Sequence, residues 1–448
     1  MRTDTLSIFG CSVLRSGATL LASALLATTA AADRVWVVDD DGGQGTDFVD
    51  VQPALNAAVD GDLVLVRPGL YSGFELVGKS VSIAADIDGA SIVLGSSAVR
   101  DLPAGRSASL RGLRIVGTGG SALELTDCAG IVWLEACVVR GDQGDGFLGS
   151  PTFHPDGHAG TSVEDCASAI FMRCTFEGGD GADFAPVFST RGDGGDGVDA
   201  VGTRVTSYEC VFIGGDGGSV ASALVADDGG TGGLGLALDA GYAMASDCRF
   251  EGGVGGIGGL VPGTPATCGA GGDGGDALGQ HAPATGPVDV RLLACTFSPG
   301  APGPGFDPPT CPAGSPGNST ALVFGSIDGL VGQPVSHRAA SPVRAGQPIT
   351  FTIGGEPGAF VVLGVAAGPA DLFVPDFNGS LVLDANAFVL FPGFVGLDGA
   401  LTSTWPGGVA VAPGTALTVH TQPALFVAST LSLTVGSGSW LTILDPNL

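Results

Sequence analysis

Five short segments of the chain repeat one pattern: Cys137-Val138-Val139, Cys174-Thr175-Phe176, Cys210-Val211-Phe212, Cys248-Arg249-Phe250 and Cys295-Thr296-Phe297. Their cysteines are 37, 36, 38 and 47 residues apart, and four of the segments share Cys-x-Phe. A fixed period of this size is typical of a solenoid, in which each unit buries its face only against its neighbours. Residues i and i+2 of a strand point to the same side. Each Cys and its following Phe are therefore predicted to enter one interior as stacked columns.

Each repeat is longer than a bare coil of a solenoid requires. Three strands of about five residues and their turns need roughly 20 residues, so a 37-residue period leaves room for one long loop. These loops recur in phase, at residues 140–162, 177–197, 213–233, 251–276 and 298–318. Equal phase predicts that all of them lie on one flank of the solenoid, where solenoids carry functional loops.

The composition narrows the classes of partner. The 448 residues include 17 Lys plus Arg against 45 Asp plus Glu, which gives a formal net charge of -28. Such a charge disfavours nucleic acid and anionic membranes as partners. It suits a soluble extracellular protein or a cation binder, and we expect a monomer. Gly accounts for 78 residues, far above its usual share of roughly 7%, so strands and turns are expected rather than helices.

The N-terminus has the pattern of a secretory signal peptide. Arg2 and Arg15 precede an apolar run, residues 18–26, and the small residues 30–32 offer a cleavage site before Asp33. No later stretch is long and apolar enough to span a membrane. We therefore expect residues 1–32 to be a signal peptide and the mature protein to be secreted or held at the cell surface.

Residues 33–86 carry a family resemblance. The sequence predicts a strand at residues 35–38, a short helix at 51–59 capped by Asp50, and a buried strand at 63–66. With Gly61-Asp62, Pro68-Gly69 and Tyr71, this block resembles the start of right-handed parallel β-helix proteins of the pectin-lyase-like superfamily, in which a small helix plugs the first coil. The resemblance implies an all-β, right-handed parallel β-helix over residues 33–318.

The composition changes after residue 318. Cysteine disappears, glycine becomes less frequent, and longer strand patterns are separated by turn signals such as Asn378-Gly379 and Pro413-Gly414. This pattern predicts a β-sandwich at residues 319–448. The segment resembles C-terminal modules of large secreted proteins of planctomycete-type bacteria. It is expected to cover the open end of the solenoid.

Two loop segments resemble calcium-binding turns. Residues 194–201 fit the nonapeptide pattern G-G-x-G-x-D-x-U, and residues 178–185 fit it less closely. Calcium prefers six to eight oxygen ligands, so Asp196 and Asp199, together with Asp180 or Asp183, are candidate Ca²⁺ ligands. The alternative interpretation is that these are solvated Asp/Gly turns without metal.

Several charged residues of the first loops are candidates for catalysis. His154 and His158 form the one histidine cluster of the sequence, and Asp142 and Asp145 could pair with each other or with Asp180 and Asp183 in glycoside hydrolysis. The basic candidates are Arg140 and Arg173. However, the motif successions of polygalacturonases and pectate lyases are missing from the chain. The leading interpretation is therefore a module that binds carbohydrate or a cell-surface glycan without catalysis. The alternative is a polysaccharide lyase or glycoside hydrolase acting on an acidic polysaccharide.

The remaining cysteines make a separate prediction. Cys128 and Cys166 precede the first two repeat cysteines by nine and eight residues, which predicts a second column. Cys268 and Cys311 lie in Gly/Pro-rich loops of successive repeats, 20 and 16 residues after their repeat cysteines. Adjacent coils bring such loops side by side, and a disulfide needs Cα atoms within about 7 Å. We expect a Cys268–Cys311 disulfide, with two free thiols as the alternative.

Overall fold

The computed structural model describes residues 33–145, 154–183, 191–220, 227–259, 268–306, 311–374, 377–406, 409–428 and 431–448. The predicted signal peptide, residues 1–32, lies outside these ranges. Up to Gly329 the described chain winds through three parallel sheets, and successive coils add one strand to each sheet in register. The predicted all-β parallel β-helix is confirmed. Its last strands extend beyond residue 318, where the sequence analysis placed the boundary.

The three sheets are named A, B and C in the order in which a coil passes through them. The strands of sheet A are Asp33–Val38, Leu63–Val66, Ser82–Ala85, Ser107–Arg111, Ile131–Glu135, Ser168–Met172, Arg204–Tyr208, Gly241–Ser246, Val288–Leu293 and Gly325–Gly329. Those of sheet B are Gly69–Ser72, Ser91–Leu94, Leu113–Val116, Val138–Arg140, Thr175–Glu177, Val211–Ile213, Arg249–Glu251 and Thr296–Ser298. Those of sheet C are Glu75–Val77, Ser97–Arg100, Leu123–Thr126, Thr161–Glu164, Val198–Val201, Leu236–Asp239, Leu278–Gly279 and Thr320–Ala321.

The single helix of the described chain, α1 (Val51–Ala57), closes the first coil. The side chain of Asp50 accepts a hydrogen bond from the N–H of Val51 at 2.8 Å, which caps the helix as expected. Val51, Ala54 and Leu55 are buried against the core. The helix ends two residues before the predicted end at residue 59, because Ala58 has an extended backbone with φ -67° and ψ 147°.

The repeat cysteines follow a sharp corner between sheets A and B. The corner residue has a left-handed backbone in five successive coils, with φ between 53° and 55° at Ala136, Arg173, Glu209, Asp247 and Ala294. The cysteine that follows each corner turns into the interior, and only Cys295, in the last decorated coil, is partly exposed. The phenylalanines of the repeats stack with ring centroids 5.4, 5.0 and 5.3 Å apart. The predicted Cys and Phe columns are therefore confirmed.

The C-terminal residues form two facing sheets, as predicted for a β-sandwich, and a separate two-stranded sheet of Pro369–Phe373 and Ser380–Leu383. Their strands are Ser336–Ala339, Val343–Arg344, Ile349–Gly354, Phe360–Ala366, Pro369–Phe373, Ser380–Leu383, Phe388–Phe394, Ala400–Trp405, Thr415–Val427, Ser432–Val435 and Ser439–Leu444. One sheet contains strands 336–339, 349–354 and 400–405, and it packs on the other sheet through a core that includes Phe351, Ile353, Val361 and Leu425. We call this unit the C-terminal module.

The C-terminal module lies along the outer face of sheet A. Its long strand Thr415–Val427 pairs antiparallel with Asp33–Val38, so sheet A continues into the module. Trp440 of the module and Trp133 of sheet A are both fully buried in the shared interface. The last strand of sheet A, Gly325–Gly329, is exposed along its length. The expectation that the module covers the open end is thus wrong, because the apolar outer face of sheet A requires the cover instead.

Candidate functional site

The loops between sheets B and C form a separate body on the flank of the solenoid. In the described chain each loop has a segment that leaves sheet B and a segment that returns to sheet C. The outgoing segments are 141–145, 177–183, 213–220, 251–259 and 298–306, and the returning segments are 154–160, 191–197, 227–235, 268–277 and 311–318. We call the two stacked layers together the glycine platform.

Hydrogen bonds join neighbouring segments of the glycine platform with a period of three residues. Gly178 and Gly181 donate to Ile213 O and Asp216 O of the next outgoing segment, both at 2.8 Å. The residues that follow them, Gly179 and Ala182, donate to a returning segment instead, also at 2.8 Å. Three residues per turn with no bonds inside the segment are the properties of the polyproline II helix. The platform is therefore a stack of such helices bonded side by side.

Glycine is required because the helices lie very close together. A Cβ atom added to Gly215 would lie 2.5 Å from the carbonyl carbon of Gly179, and one added to Gly233 would lie 2.5 Å from that of Gly195. Real Cβ atoms do not approach backbone atoms so closely. Collagen needs glycine at every third residue for the same reason. Here two of every three positions face neighbouring segments, and the third faces solvent, except at Asp196, which is buried.

Aspartate at the third position accepts the N–H of the equivalent residue in the next coil. In the outgoing layer Asp180 accepts from Asp216 at 3.0 Å, and Asp216 accepts from Val254 at 2.7 Å. In the returning layer Asp193 accepts from Thr231 at 2.8 Å and Asp273 from Ser315 at 2.6 Å. The Gly-Gly-Asp pattern that resembles a calcium motif thus has a structural role, since its carboxylates complete the hydrogen bonding of the exposed backbone.

Proline closes the last edge of the glycine platform. Gly252, Gly255 and Gly274 donate N–H bonds to the last loop at 2.8 to 2.9 Å. The equivalent positions of that loop, which would donate onward to solvent, are Pro299, Pro302 and Pro316. Proline has no N–H and adopts the backbone φ of the polyproline II helix. The edge therefore presents fewer unpaired donors to which another chain could add.

The disulfide Cys268–Cys311 joins the last two returning segments. The two Cα atoms are 5.7 Å apart, so the predicted pairing is confirmed. Cys128 and Cys166 are free, buried thiols, as the second column predicts.

The catalytic candidates of the first loops lie together, apart from Arg173. The rings of His154 and His158 are 5.6 Å apart, and the N–H of Asp145 donates to His154 O at 2.7 Å. The carboxylate of Asp142 accepts the N–H of Gly119. The backbone N–H of His158 donates to Asp142 O at 2.9 Å. Asp142 and His158 therefore meet near the base of the first loop, close to the strands Val138–Arg140 and Thr161–Glu164, and Asp145 and His154 meet further out.

Arg173 belongs to the interface with the C-terminal module. Its guanidinium donates to Glu135 Oε1 at 2.6 Å and to the backbone oxygen of His337 at 2.7 Å. Glu135 is fully buried and also accepts from Arg111 and from the N–H of Trp440. Burial alone would raise the pKa of Glu135, but the two arginines outweigh it and lower the pKa to about 2. Arg173 therefore holds the two parts of the chain together, at a distance in the fold from the loop carboxylates.

A different group of side chains meets where the second loop returns to sheet C. Asp196 and Asp199 lie with His281, and their ligand atoms are all within 4.8 Å of one another. His281 Nε2 is 2.6 Å from Asp196 Oδ2. Asp180 and Asp183 do not join this cluster; each accepts a backbone N–H in the outgoing layer. His281 lies two coils further along the chain, so no local pattern of sequence could pair it with Asp196.

Burial and neighbouring charges shift the pKa values of two members of the Asp196–Asp199–His281 cluster. Burial and the charge of Asp196 raise the pKa of Asp199 to about 6. The hydrogen bond to Asp196 raises the pKa of His281 to about 9. Asp239 and Glu164 lie close enough to add to the negative field at Asp199.

Comparisons with known proteins find low similarity. No family model and no curated protein matches the chain. Among solved structures, Geobacillus virus E2 ORF18 is 9% identical with a TM-score of 0.27, over 90% of this chain and 83% of that chain. Tailspike protein 2 of Escherichia coli O157:H7 bacteriophage CAB120 is 8% identical with a TM-score of 0.23, over 93% of this chain and 64% of that chain. Within the described ranges, no helix has the length and apolarity to cross a membrane.

Proposed function

We propose that this protein is an extracellular or cell-surface binding module and that the glycine platform is its ligand-binding surface. The observation that supports this proposal is the three-residue period of the hydrogen bonds between neighbouring segments of the platform. Two residues of each turn are held by neighbouring helices, and the third is presented to solvent from a fixed position. A surface that is already ordered loses little conformational entropy when it binds.

Carbohydrate is the proposed ligand because of the groups that the returning layer presents. Its third-position column reads Asp156, Asp193, Thr231, Asp273 and Ser315. Each aspartate uses Oδ1 for the backbone. The Oδ2 atoms of Asp193 and Asp273 have no partner within the described ranges. A row of carboxylate and hydroxyl oxygens in successive coils, about 4.8 Å apart, suits the hydroxyl groups of a glycan. The net charge of -28 favours a neutral or amine-bearing glycan over an acidic one.

Two further parts of this proposal concern the state of the protein. Export would depend on residues 1–32, and the mature chain would begin near Asp33, which mass spectrometry of protein from the culture medium would test.

The prolines at the last edge of the glycine platform support a monomer, because a second platform stacking on that edge would find too few N–H donors. Light scattering of the purified protein would test that state.

Binding is tested with a panel of neutral, amine-bearing and acidic polysaccharides, with and without Ca²⁺. The informative variant is Asp193→Asn with Asp273→Asn, which keeps an acceptor oxygen for the backbone and changes the solvent-facing oxygen. The matched control is Asp216→Asn in the outgoing layer. We expect at least a tenfold loss of glycan affinity in the double variant only. If no glycan binds, or if both variants bind like the parent chain, the platform is not the binding surface.

The second candidate function is a polysaccharide lyase or glycoside hydrolase, and one observation favours it. Asp199 has its pKa raised to about 6 beside the carboxylate of Asp196, as a general acid requires. Release of reducing ends or unsaturated sugars by the parent chain, with loss in Asp199→Asn, would support this function. Absence of any product across the panel would exclude it for those substrates.

A further inference from the structure

We propose that Asp196, Asp199 and His281 bind one divalent transition-metal ion, with zinc as the representative case. This inference goes beyond the proposed binding function and does not depend on it. It also differs from the calcium site expected from sequence, since the nitrogen ligand comes from His281 and neither Asp180 nor Asp183 takes part.

The geometry supplies three ligands on one side of the solenoid. Asp196 is 8% exposed at the end of a returning segment, and Asp199 follows on the sheet C strand Val198–Val201. His281 has a side chain 55% exposed and already contacts Asp196 at 2.6 Å. A zinc ion with ligands at about 2.0–2.2 Å would lie between the imidazole and the two carboxylates. The exposed imidazole has the freedom to close the remaining distance to Asp199.

The surrounding residues hold the ligands in place. Asp196 Oδ1 accepts the N–H of Leu234 at 2.7 Å, which turns Oδ2 toward His281. Asp239 accepts from the N–H groups of Thr285 and Gly286 and from Gln280 Nε2, at 2.9 to 3.1 Å. These bonds fix the segment that carries His281 over the two aspartates. Asp239 is thus a positioning residue rather than a ligand.

Arg and Lys side chains do not neutralise the carboxylates around the site. Asp199, Asp239 and Glu164 form no salt bridge with Arg or Lys within the described ranges, and the one ion pair of Asp196 is with His281.

The ligand set selects the class of metal. Imidazole nitrogen suits zinc, copper, nickel and cobalt, whereas calcium takes six to eight oxygens. Three protein ligands leave at least one coordination position for water, as in open zinc sites. The site faces solvent beside the returning layer of the platform, so that position is accessible to a small molecule.

The test uses the full mature chain after treatment with a chelator. Zn²⁺ binding is measured by calorimetry and Co²⁺ binding by visible absorption, and Ca²⁺ is tested as a competitor. The site variants are His281→Gln and Asp199→Asn. The matched control is His154→Gln with His158→Gln, which removes the exposed imidazole of His154 and the half-buried one of His158. Circular dichroism and unfolding curves show whether each variant keeps the fold.

We expect one equivalent of Zn²⁺ and of Co²⁺, with affinity at least tenfold weaker in both site variants and unchanged in the histidine control. The Co²⁺ spectrum should show nitrogen ligation that disappears in His281→Gln. The proposal is overturned if the parent chain binds no Zn²⁺, if folded His281→Gln binds as tightly as the parent, or if binding is lost only in the histidine control. Displacement of Zn²⁺ by equimolar Ca²⁺ would also overturn it, in favour of an oxygen-only site.

Discussion

Replacement of Gly215 by alanine is expected to open the glycine platform locally. The new Cβ would lie 2.5 Å from the carbonyl carbon of Gly179 and closer still to its oxygen. The segments would have to separate by about 1 Å to reach ordinary contact distances. The two bonds that join these segments would then be lost: Gly178 N–H donates to Ile213 O and Gly181 N–H donates to Asp216 O, both at 2.8 Å.

The size of the effect follows from these two bonds. Each buried group left without a partner costs about 1–3 kcal/mol, so the local opening free energy should fall by about 2–6 kcal/mol. Glycine-to-alanine changes at unstrained positions act in the opposite direction. They stabilise the fold by about 0.4–1 kcal/mol because alanine lowers the conformational entropy of the unfolded chain. A fall in the local opening free energy would therefore support the close packing of the helices, and a rise would contradict it.

The assay is native-state hydrogen exchange followed by mass spectrometry. Protection should fall in residues 177–183 and 213–220, while the sheet strands remain protected because the loops open without unfolding the coils. The matched control is Asp216→Ala at the next residue, which faces solvent and loses one bond to Val254 N–H at 2.7 Å, for about 1 kcal/mol. Unchanged or increased protection in Gly215→Ala would refute the stacked-helix interpretation.

Three other predictions follow from the interface and the disulfide. Glu135→Gln leaves two arginines without their buried partner and should lower the free energy of unfolding by about 3–5 kcal/mol; a urea midpoint equal to that of the parent would contradict this. Burial lowers the pKa of His337 to about 3 and of His420 to about 4, so the unfolded chain binds more protons below its ordinary histidine pKa of about 6.5. The stability that the two residues contribute is complete above pH 6.5 and is lost toward pH 4, at about 1.4 kcal/mol per histidine and pH unit; a flat unfolding profile over this range would show that they are not buried neutral. Replacing Cys268 and Cys311 by serine removes a cross-link between residues 43 positions apart and should lower the free energy of unfolding by about 3–4 kcal/mol in the chain-entropy model. A melting temperature that does not change when reductant is added would show that the disulfide does not stabilise the fold.

The sequence by itself determined the solenoid and its interior. In a parallel β-helix each residue packs on its counterpart one coil away, so the period of Cys-x-Phe reports the stacking directly. The left-handed corner before each cysteine and the columns of Cys and Phe are consequences of that repeat. The same register brought Cys268 and Cys311 together, because loops in phase are neighbours in space.

The period of three in the loops was also present in the sequence. Gly-Gly-Asp triplets such as residues 178–180 and 194–196 are the pattern expected of packed polyproline II helices. The similarity of these triplets to calcium motifs left two interpretations open, a calcium site and solvated Asp/Gly turns. The two interpretations separate only when the partners are known, since the carboxylate of Asp180 bonds to a backbone N–H 36 residues away.

The tertiary structure alone decided the roles of Arg173, Glu135 and His281. In the sequence, Arg173 was a basic candidate for catalysis beside the loop carboxylates. In the structure it lies at a corner between sheets A and B, and its guanidinium donates to the backbone oxygen of His337, which comes 164 residues later in the chain. His281 contacts Asp196 although the two residues are 85 positions apart in the sequence, and His281 belongs to the irregular repeat of 47 residues. Both contacts depend on how separate parts of the chain pack against each other. No local periodicity records such packing, because the free energy that selects it comes from surfaces that meet only after the coils have formed.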